Sequence, residues 1–304
     1  MKKNIVTFSD DTGDAIISVY NVFPGVELAY YSIHMDSLKL DIPTARRGKR
    51  IEIHHCQEGR IEQQFGEEFF YLMPGDLSVA LRTEMAKAYR FPLRHYHGIG
   101  IGLDLNAFSD EFCMIMNDLG LQLEKLLHQL RTDENCLIMR SEKFIEHVFS
   151  ELYTVPESIQ EGYLKVKVLE LLLVLSDVDM YRSQPAINSL PLTYVRLANR
   201  IAAYLAEHMG QHITIPELAR SFGISATHLK TVFRGVYGMP VFSYMRTQRM
   251  QAAAQLLIHT EAPIAAIAEE FGYANASKFS SAFQAIMGET PREFRKAHSK
   301  CHIR

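Results

Sequence analysis

A repeat in the last third of the chain constrains the fold more than any other feature. Residues 215–223 (IPELARSFG) align with residues 264–272 (IAAIAEEFG) at an offset of 49. Three further positions match at an offset of 50: Leu229 with Phe279, Phe233 with Phe283, and Gly238 with Gly288. The change of offset predicts one extra residue in the turn of the second copy. The repeat therefore predicts two versions of one small helical unit.

Each copy has the pattern of a helix-turn-helix unit, in which two short helices cross at a tight turn. In the first helix a large apolar residue precedes a small one that lets the second helix cross closely: Leu218-Ala219 and Ile267-Ala268. A glycine then stands where the turn needs a permissive backbone: Gly223 and Gly272. Residues suited to N-cap the second helices follow: Ser225 and Asn275.

The second helix of such a unit enters the major groove of DNA. We expect these helices to bury Leu229 and Phe233, or Phe279 and Phe283, and to turn the opposite face to DNA. The candidate DNA-binding residues are Ser225, Thr227, Lys230, Thr231 and Arg234 in the first copy and Asn275, Ser277, Lys278, Ser281 and Gln284 in the second. Residues 241–257 predict one long helix that holds the units apart, so that they reach successive major grooves about 34 Å apart.

The charge distribution is asymmetric, although the net charge is only −3. Residues 193–304 hold 13 Lys and Arg against 7 Asp and Glu, a net +6, whereas residues 1–192 carry a net −9. A basic part joined to an acidic remainder is typical of a protein of which one part meets a polyanion. Charge alone leaves chance clustering open, and the alternative for the repeat is a helical bundle with no DNA role.

Residues 194–297 resemble the DNA-binding domain of the AraC family of bacterial regulators. The resemblance covers both copies and is sharpest in four segments: 264–268, 271–273, 277–283 and 288–295. It implies sequence-specific binding to double-stranded promoter DNA, most often activation of transcription, and RNA polymerase as a further partner.

The second recognition helix departs from the family pattern, which often has an arginine where Ser281 stands and a lysine where Gln284 stands. Arginine reads guanine bidentately and lysine pairs with phosphate. Lys278 is therefore the only charge on that helix face. We expect the first unit, with Lys230 and Arg234, to supply more of the binding energy.

The whole chain predicts an α+β protein of several parts. We expect a β domain at residues 1–105, helices at 106–180, a linker at 181–192 and the double helix-turn-helix domain at 193–298. Short alternating segments separated by turns between residues 51 and 81 are typical of an antiparallel barrel or sandwich. This half resembles the cupin-like sensor domain of many AraC-type regulators, which implies a small effector bound in the barrel and a homodimer formed through the neighbouring helices.

Histidines of the β domain supply candidates for the effector site. His95 and His97 have the spacing that places two side chains on one face of a strand, and His54 and Cys56 have the same spacing. The candidate effector-binding residues are His34, His54, Cys56, Tyr71, His95 and His97. Imidazole and thiolate together also suit Zn, Fe or Cu. No carboxylate follows His97 at the close spacing usual in a metal cupin, so we expect neither a metal nor a cofactor.

Two features of this half leave alternatives open. Residues 171–175 suit a dimer seam and core packing about equally. A basic run, Arg46, Arg47, Lys49 and Arg50, suits a solvated loop better than a contact with an anionic effector.

The remaining features favour a cytoplasmic protein that is not an enzyme. The sequence has no apolar run suited to a secretory signal or a membrane span, and its four cysteines form no Cys-x-x-Cys pair. It also lacks a Ser-His-Asp arrangement, a phosphate-binding glycine loop and paired carboxylates. The alternative from another class is a metal-dependent cupin enzyme fused to a helical tail.

Overall fold

The computed structural model describes residues 2–39, 49–65, 67–82, 89–132, 136–177 and 189–298. The chain divides into two compact units, Met1–Pro191 and Leu192–Arg304. The division falls at the end of the segment interpreted as a linker, of which residues 181–188 lie outside the described ranges.

The described part of the N-terminal unit forms two antiparallel sheets. Its strands are β1 (Lys3–Asp10), β2 (Gly13–Phe23), β3 (Val26–His34), β4 (Ser37–Leu38), β5 (Arg50–Gly59), β6 (Ile61–Phe65), β7 (Glu68–Leu72), β8 (Asp76–Arg82), β9 (Tyr89–Arg90), β10 (Tyr96–Asp104), β11 (Cys136–Arg140) and β12 (Leu190–Pro191). The strand orders are β1-β2-β3-β10-β5-β8-β11 and β12-β7-β6-β9-β4. The predicted antiparallel β architecture is confirmed, and the ladders seen in the described ranges do not join into one closed ring.

In the described residues of this unit, four helices accompany the strands: α1 (Asp110–Asp118), α2 (Leu123–Thr132), α3 (Lys143–Leu152) and α4 (Gln160–Ser176), with a 3₁₀ turn at Glu157–Ile159. They pack on one face of the seven-stranded sheet, where Ile51, Ile53 and Leu103 join Phe149 and Leu171 in the largest core cluster. The other face of that sheet meets the five-stranded sheet. We call these two faces the helix face and the inner face.

The burial of α4 bears on whether residues 171–175 form a dimer seam or pack in the core. Leu171, Leu172 and Leu175 are buried in the core cluster, whereas Leu173 is 38% exposed. Most of the 171–175 segment therefore packs inside the unit rather than forming a seam. Of the basic run, Arg46 and Arg47 lie outside the described residues, and Arg50 forms an ion pair with Glu27 at 3.0 Å.

In the described residues of the C-terminal unit from Leu192 onward, the regular secondary structure is helical. Its helices are α5 (Leu192–Glu207), α6 (Ile215–Ser221), α7 (Ala226–Tyr237), α8 (Val241–His259), α9 (Ile264–Glu270), α10 (Ala276–Met287) and α11 (Pro291–His298). The long helix predicted between the two copies is confirmed as α8, which ends at His259 rather than at Leu257. One core cluster joins α8 to α9, α10 and Phe294 of α11.

Candidate nucleic-acid interface and sensor site

The two copies of the repeat fold into the same unit, formed by α6 with α7 and by α9 with α10. Gly223 and Gly272 adopt φ of +65° and +78°, the left-handed region that favours glycine. Each turn also has an equivalent hydrogen bond at the end of its first helix: Ile224 N donates to Ala219 O at 3.0 Å, and Tyr273 N donates to Ala268 O at 2.9 Å. The predicted helix-turn-helix geometry is therefore present twice.

The second helix of each unit begins at the expected cap. Ser225 Oγ accepts a hydrogen bond from His228 N at 3.1 Å, and Asn275 Oδ1 accepts one from Ser277 N at 2.7 Å. The first helices, α6 and α9, begin 49 residues apart, at Ile215 and Ile264. The N-caps of the second helices, Ser225 and Asn275, are 50 residues apart. The extra residue lies in the second turn, as the repeat predicts.

One face of each second helix is buried against its own unit. Leu229 and Phe233 of α7 are 0% exposed, as are Phe279 and Phe283 of α10. Burying a side chain of this size stabilises the fold by about 1.5–3 kcal/mol, so this face fixes the rotation of the helix about its axis. The remaining face is then necessarily turned outward.

The outward face carries eight of the ten residues predicted to bind DNA, all of them exposed: Thr227, Lys230, Thr231 and Arg234 on α7, and Ser277, Lys278, Ser281 and Gln284 on α10. The other two, Ser225 and Asn275, are exposed at the N-caps of these helices. On α7 the helical spacing of Thr227, Lys230 and Arg234 places them on one stripe. In the part of the chain that the structure describes, no ion pair occupies Lys230, Arg234 or Lys278. Their charges are therefore available to a polyanion.

A further cation lies beside the second unit and was not predicted from the sequence. Arg246 of α8 lines a shallow depression of about 440 Å³ together with Tyr273, Ser277, Lys278 and Ser281. Because α8 precedes the second copy, no inspection of the recognition helix alone reveals this residue. A phosphate in the depression would meet two cations rather than one.

The inner face of the N-terminal unit holds a buried polar group of side chains around Glu52. Arg82 Nε lies 2.7 Å from Glu52 Oε2, and Tyr89 donates a longer hydrogen bond to the same oxygen at 3.5 Å. Burial of Glu52 opposes ionisation, but His54 and Arg82 hold its pKa below the ordinary value. A buried carboxylate paired in this way stays charged.

Several polar atoms of the two sheets have no hydrogen-bond partner among the described residues. They are His54 Nδ1, Ser78 Oγ, Tyr96 Oη and both side-chain heteroatoms of Gln63. Buried polar atoms normally have partners, so unpaired ones indicate water or a ligand. The glycines of β10 let neighbouring side chains pack closely over the strand, since a Cβ at Gly100 would lie 2.7 Å from the ring of Tyr31.

The six candidate effector residues are distributed over three places. His54 and Cys56 lie on the inner face, as their spacing predicts, and burial raises the pKa of the Cys56 thiol to about 12. Tyr71 lies on the outer side of the second sheet, where it donates a hydrogen bond to Glu62 Oε2 at 2.6 Å. The remaining three are clustered at one end of the helix face: His34, His95 and His97.

This distribution separates the two pairs that the sequence singles out. The side chain of Tyr96 lies on the inner face of the seven-stranded sheet. Because side chains alternate along a strand, its neighbours His95 and His97 point to the helix face. His54 and Cys56 point the other way, and the sheet lies between the pairs. A single ion held jointly by the His95–His97 pair and the His54–Cys56 pair is therefore excluded by the fold.

Comparisons with known proteins identify the C-terminal unit. A family model described as a helix-turn-helix domain matches residues 218–297. The regulatory protein SoxS of Escherichia coli K12 is 31% identical over 104 residues, which are 34% of this chain and 97% of SoxS. The transcriptional activator AarP of Providencia stuartii is 27% identical over 36% of this chain and 86% of AarP. The C-terminal domain of AraT, a response regulator from Geobacillus stearothermophilus, is 29% identical, with a TM-score of 0.34, over 36% of this chain and 90% of that domain.

The fold and the outward faces of α7 and α10 define a DNA-binding transcription regulator with two helix-turn-helix units. The geometry agrees with the relatives, which include a regulatory protein and a transcriptional activator. The chain belongs to the AraC family of transcription regulators. Within the described residues, no helix combines the length and apolar character that a membrane crossing needs.

Proposed function

We propose that this protein activates transcription by placing α7 and α10 in successive major grooves of promoter DNA. The observation that carries the proposal is the pair of outward helix faces with unpaired cations, each fixed in rotation by a fully buried opposite face. Hydroxyl and amide side chains on these faces, such as Thr227 and Gln284, suit contacts with base edges. Lys230, Arg234, Lys278 and Arg246 suit phosphate oxygens.

The proposal includes a small effector bound between the two sheets. What supports it is the set of buried polar atoms in the two sheets that have no partner among the described residues, together with the buried charged pair of Glu52 and Arg82. An effector with both hydrogen-bond donors and acceptors would satisfy His54, Ser78 and Gln63. A ligand shifts a regulator only if it binds two states unequally, so we infer that occupancy of this interior changes the DNA-bound population.

We also propose that the protein acts as a homodimer. Three apolar residues in register along the 3₁₀ turn and α4 are exposed: Ile159 at 52%, Val166 at 60% and Leu173 at 38%. Their heptad spacing returns to the same side of a helix, so these side chains form a stripe that two copies of α4 can share. Dimerisation would double the DNA contacts and raise the effective concentration of the second site.

Contact with RNA polymerase completes the proposal, because activation requires recruitment or stimulation of the polymerase once the promoter is bound. A DNA-binding regulator acts in the compartment that holds the DNA, and the cytoplasmic location expected from the sequence is part of the same proposal.

Selection from a pool of random duplex DNA tests this function. The full-length protein should enrich a motif with two elements about 10–10.5 base pairs apart. The affinity for that motif should fall with salt at a logarithmic slope of about −0.9 per phosphate neutralised. A selection without enrichment, both with and without added cell extract as a source of effector, would contradict the proposal.

A further inference from the structure

Three imidazoles from two distant segments of the chain meet at one end of the helix face. His34 ends β3, His95 precedes β10, and His97 is the second residue of β10. One ring nitrogen from each lies within 4.8 Å of the others. The ring centroids are 5.2 Å apart for His34 and His95, and 4.7 Å apart for His95 and His97. The three rings therefore converge on one point rather than stacking on a core.

The distances match those of a shared metal ion. His34 Nδ1 and His95 Nδ1 are 3.4 Å apart. Two imidazole nitrogens bound tetrahedrally to Zn²⁺ at about 2.0–2.1 Å are separated by about 3.3–3.4 Å. A hydrogen bond between two neutral imidazoles would explain this one pair, but it leaves the convergence of His97 without a reason.

The carboxylate of Glu58 contacts the ring nitrogen of His95 that faces away from His34. His95 Nε2 lies 3.3 Å from Glu58 Oε2 while its Nδ1 faces His34. In metal sites the second N–H of a ligating histidine almost always donates to such a partner, which fixes the tautomer and the ring orientation. In the tautomer that donates Nε2–H to Glu58, Nδ1 of His95 has a free lone pair directed at His34.

The surrounding charges are compatible with a cation. Asp14 stands directly opposite His34 on the neighbouring strand β2. The nearest arginine along the chain, Arg94, is held by Asp36 at 2.9 Å and donates to Thr12 O. Its charge is therefore engaged away from the histidines.

We propose that His34, His95 and His97 bind one divalent transition metal of the zinc class, with the fourth position open to water. This site is separate from the interior that the proposed effector would occupy, and it does not depend on DNA binding. It replaces the expectation that no metal binds here, which rested on the lack of a carboxylate at close spacing after His97. The third ligand is His34, an effector-site candidate that is distant in the sequence and is brought in by the pairing of β3 with β10.

The test uses full-length protein freed of any affinity tag, stripped with chelator and titrated with Zn²⁺ by calorimetry. One equivalent per chain should bind. Glu58→Gln should weaken the affinity about 10- to 100-fold, and His34→Ala or His97→Ala should weaken it more. His147→Ala, an exposed histidine of α3 outside the cluster, should bind Zn²⁺ like the wild type.

Co²⁺ serves as a spectroscopic probe of the ligands. The wild type should show the visible bands of a four-coordinate nitrogen and oxygen site, with no thiolate band in the near ultraviolet, and the bands should vanish in His34→Ala. Far-ultraviolet circular dichroism establishes that each variant is folded, and the exposed Glu58 provides a variant that leaves the core untouched. Zn²⁺ affinity unchanged in His34→Ala and His97→Ala, or no binding by the wild type, would overturn the proposal.

Discussion

Two arginines hold the helix-turn-helix units to the rest of the C-terminal unit. Arg249 of α8 donates to Met209 O at 2.6 Å and to Gln211 O at 2.8 Å, in the loop before the first unit. Arg295 of α11 donates to Leu257 O at 3.3 Å and to Ala262 O at 2.6 Å, at the end of α8 and in the loop before the second unit. Each unit is thus tied at its entry by an arginine that follows it in sequence.

The segment 288–295, one of the four where the family resemblance is sharpest, also has a residue-level explanation. Gly288 ends α10 with φ of +84°, and Thr290 then caps α11. The cap is reciprocal, because Thr290 Oγ1 accepts from Glu293 N at 3.3 Å while Glu293 Oε2 accepts from Thr290 N at 2.9 Å. Pro291 stands at the first helical position, where its missing N–H costs nothing.

We predict that Thr290→Ala lowers the free energy of unfolding of the C-terminal unit by about 1 kcal/mol, the usual effect of losing such a cap. Chemical denaturation of the full chain, followed by circular dichroism in the far ultraviolet, measures the loss. Thr290→Ser keeps the hydroxyl and serves as the control. Equal stabilities of the alanine and serine variants would show that the cap is not the source of the effect.

The same cap makes a prediction about pH. The hydrogen bonds from the Thr290 side chain and backbone hold the pKa of Glu293 below its ordinary value. A lowered carboxyl pKa stabilises the fold above the pKa of the unfolded chain, and this stabilisation is lost as the pH falls through the lowered value. The difference in stability between the wild type and Thr290→Ala should therefore shrink on acidification. Denaturation repeated at descending pH measures it, and a difference that grows on acidification would contradict the prediction.

At the scale of elements, the two turns form a natural matched pair. Gly223 and Gly272 both have positive φ, but a Cβ would meet open space at Gly223 and would lie 2.9 Å from Gly210 O at Gly272. We predict that Gly223→Ala costs about 1–2 kcal/mol from backbone strain alone, and that Gly272→Ala costs more. Thermal unfolding of the two variants makes the comparison. An equal loss in both would mean that the close approach of Gly210 does not matter.

The two recognition helices should contribute unequally to DNA affinity. On its outward face α7 carries Lys230 and Arg234, whereas α10 carries Lys278 alone, with Arg246 supplied by α8. We predict a larger loss of affinity for Lys230→Ala than for Lys278→Ala, each with a salt slope reduced by about 1. Fluorescence anisotropy on the selected site measures both quantities, with Lys165→Ala of α4 as the control. The reverse order would refute the prediction.

The helix-turn-helix elements could be predicted because their signal is local. Apolar spacing, cap residues and turn glycines all fall within one short stretch of chain, and the second copy repeats them. The strand β11 could not be predicted in this way. It lies among helices and pairs with β8, which comes much earlier in the chain, so only long-range pairing reveals it.

The sensor site was only partly predictable for the same reason. Because side chains alternate along a strand, the sequence predicts that His95 and His97 share one face and that His54 and Cys56 share one face. Both predictions agree with the structure. The alternation does not say which face of the sheet each pair takes, because that depends on the register of β10 against β5, which shifts between His97 and Gly98. The position of His34 beside His95 and His97 likewise carries no local signal, because it depends on the pairing of β3 with β10. Gln63 was not predicted.

At the scale of the whole molecule, the proposed homodimer depends on the stripe of Ile159, Val166 and Leu173. We predict that the double variant Val166→Glu, Leu173→Glu is monomeric, because a shared apolar stripe cannot bury like charges. Sedimentation velocity of the full chain gives the oligomeric state. Ile5→Glu, at a similarly exposed apolar position of β1, should leave it unchanged. A double variant that sediments like the wild type would exclude this face.

The central claim is that α7 and α10 occupy successive major grooves on one side of the same duplex. It is tested most directly by measuring the affinity of the full chain for its selected site before and after five base pairs are inserted between the two elements. Half a helical turn moves the second element to the other side of the DNA, so the affinity should fall to that of a single element. Five base pairs added outside the elements should change nothing. Full affinity for the site with the internal insertion would contradict the claim.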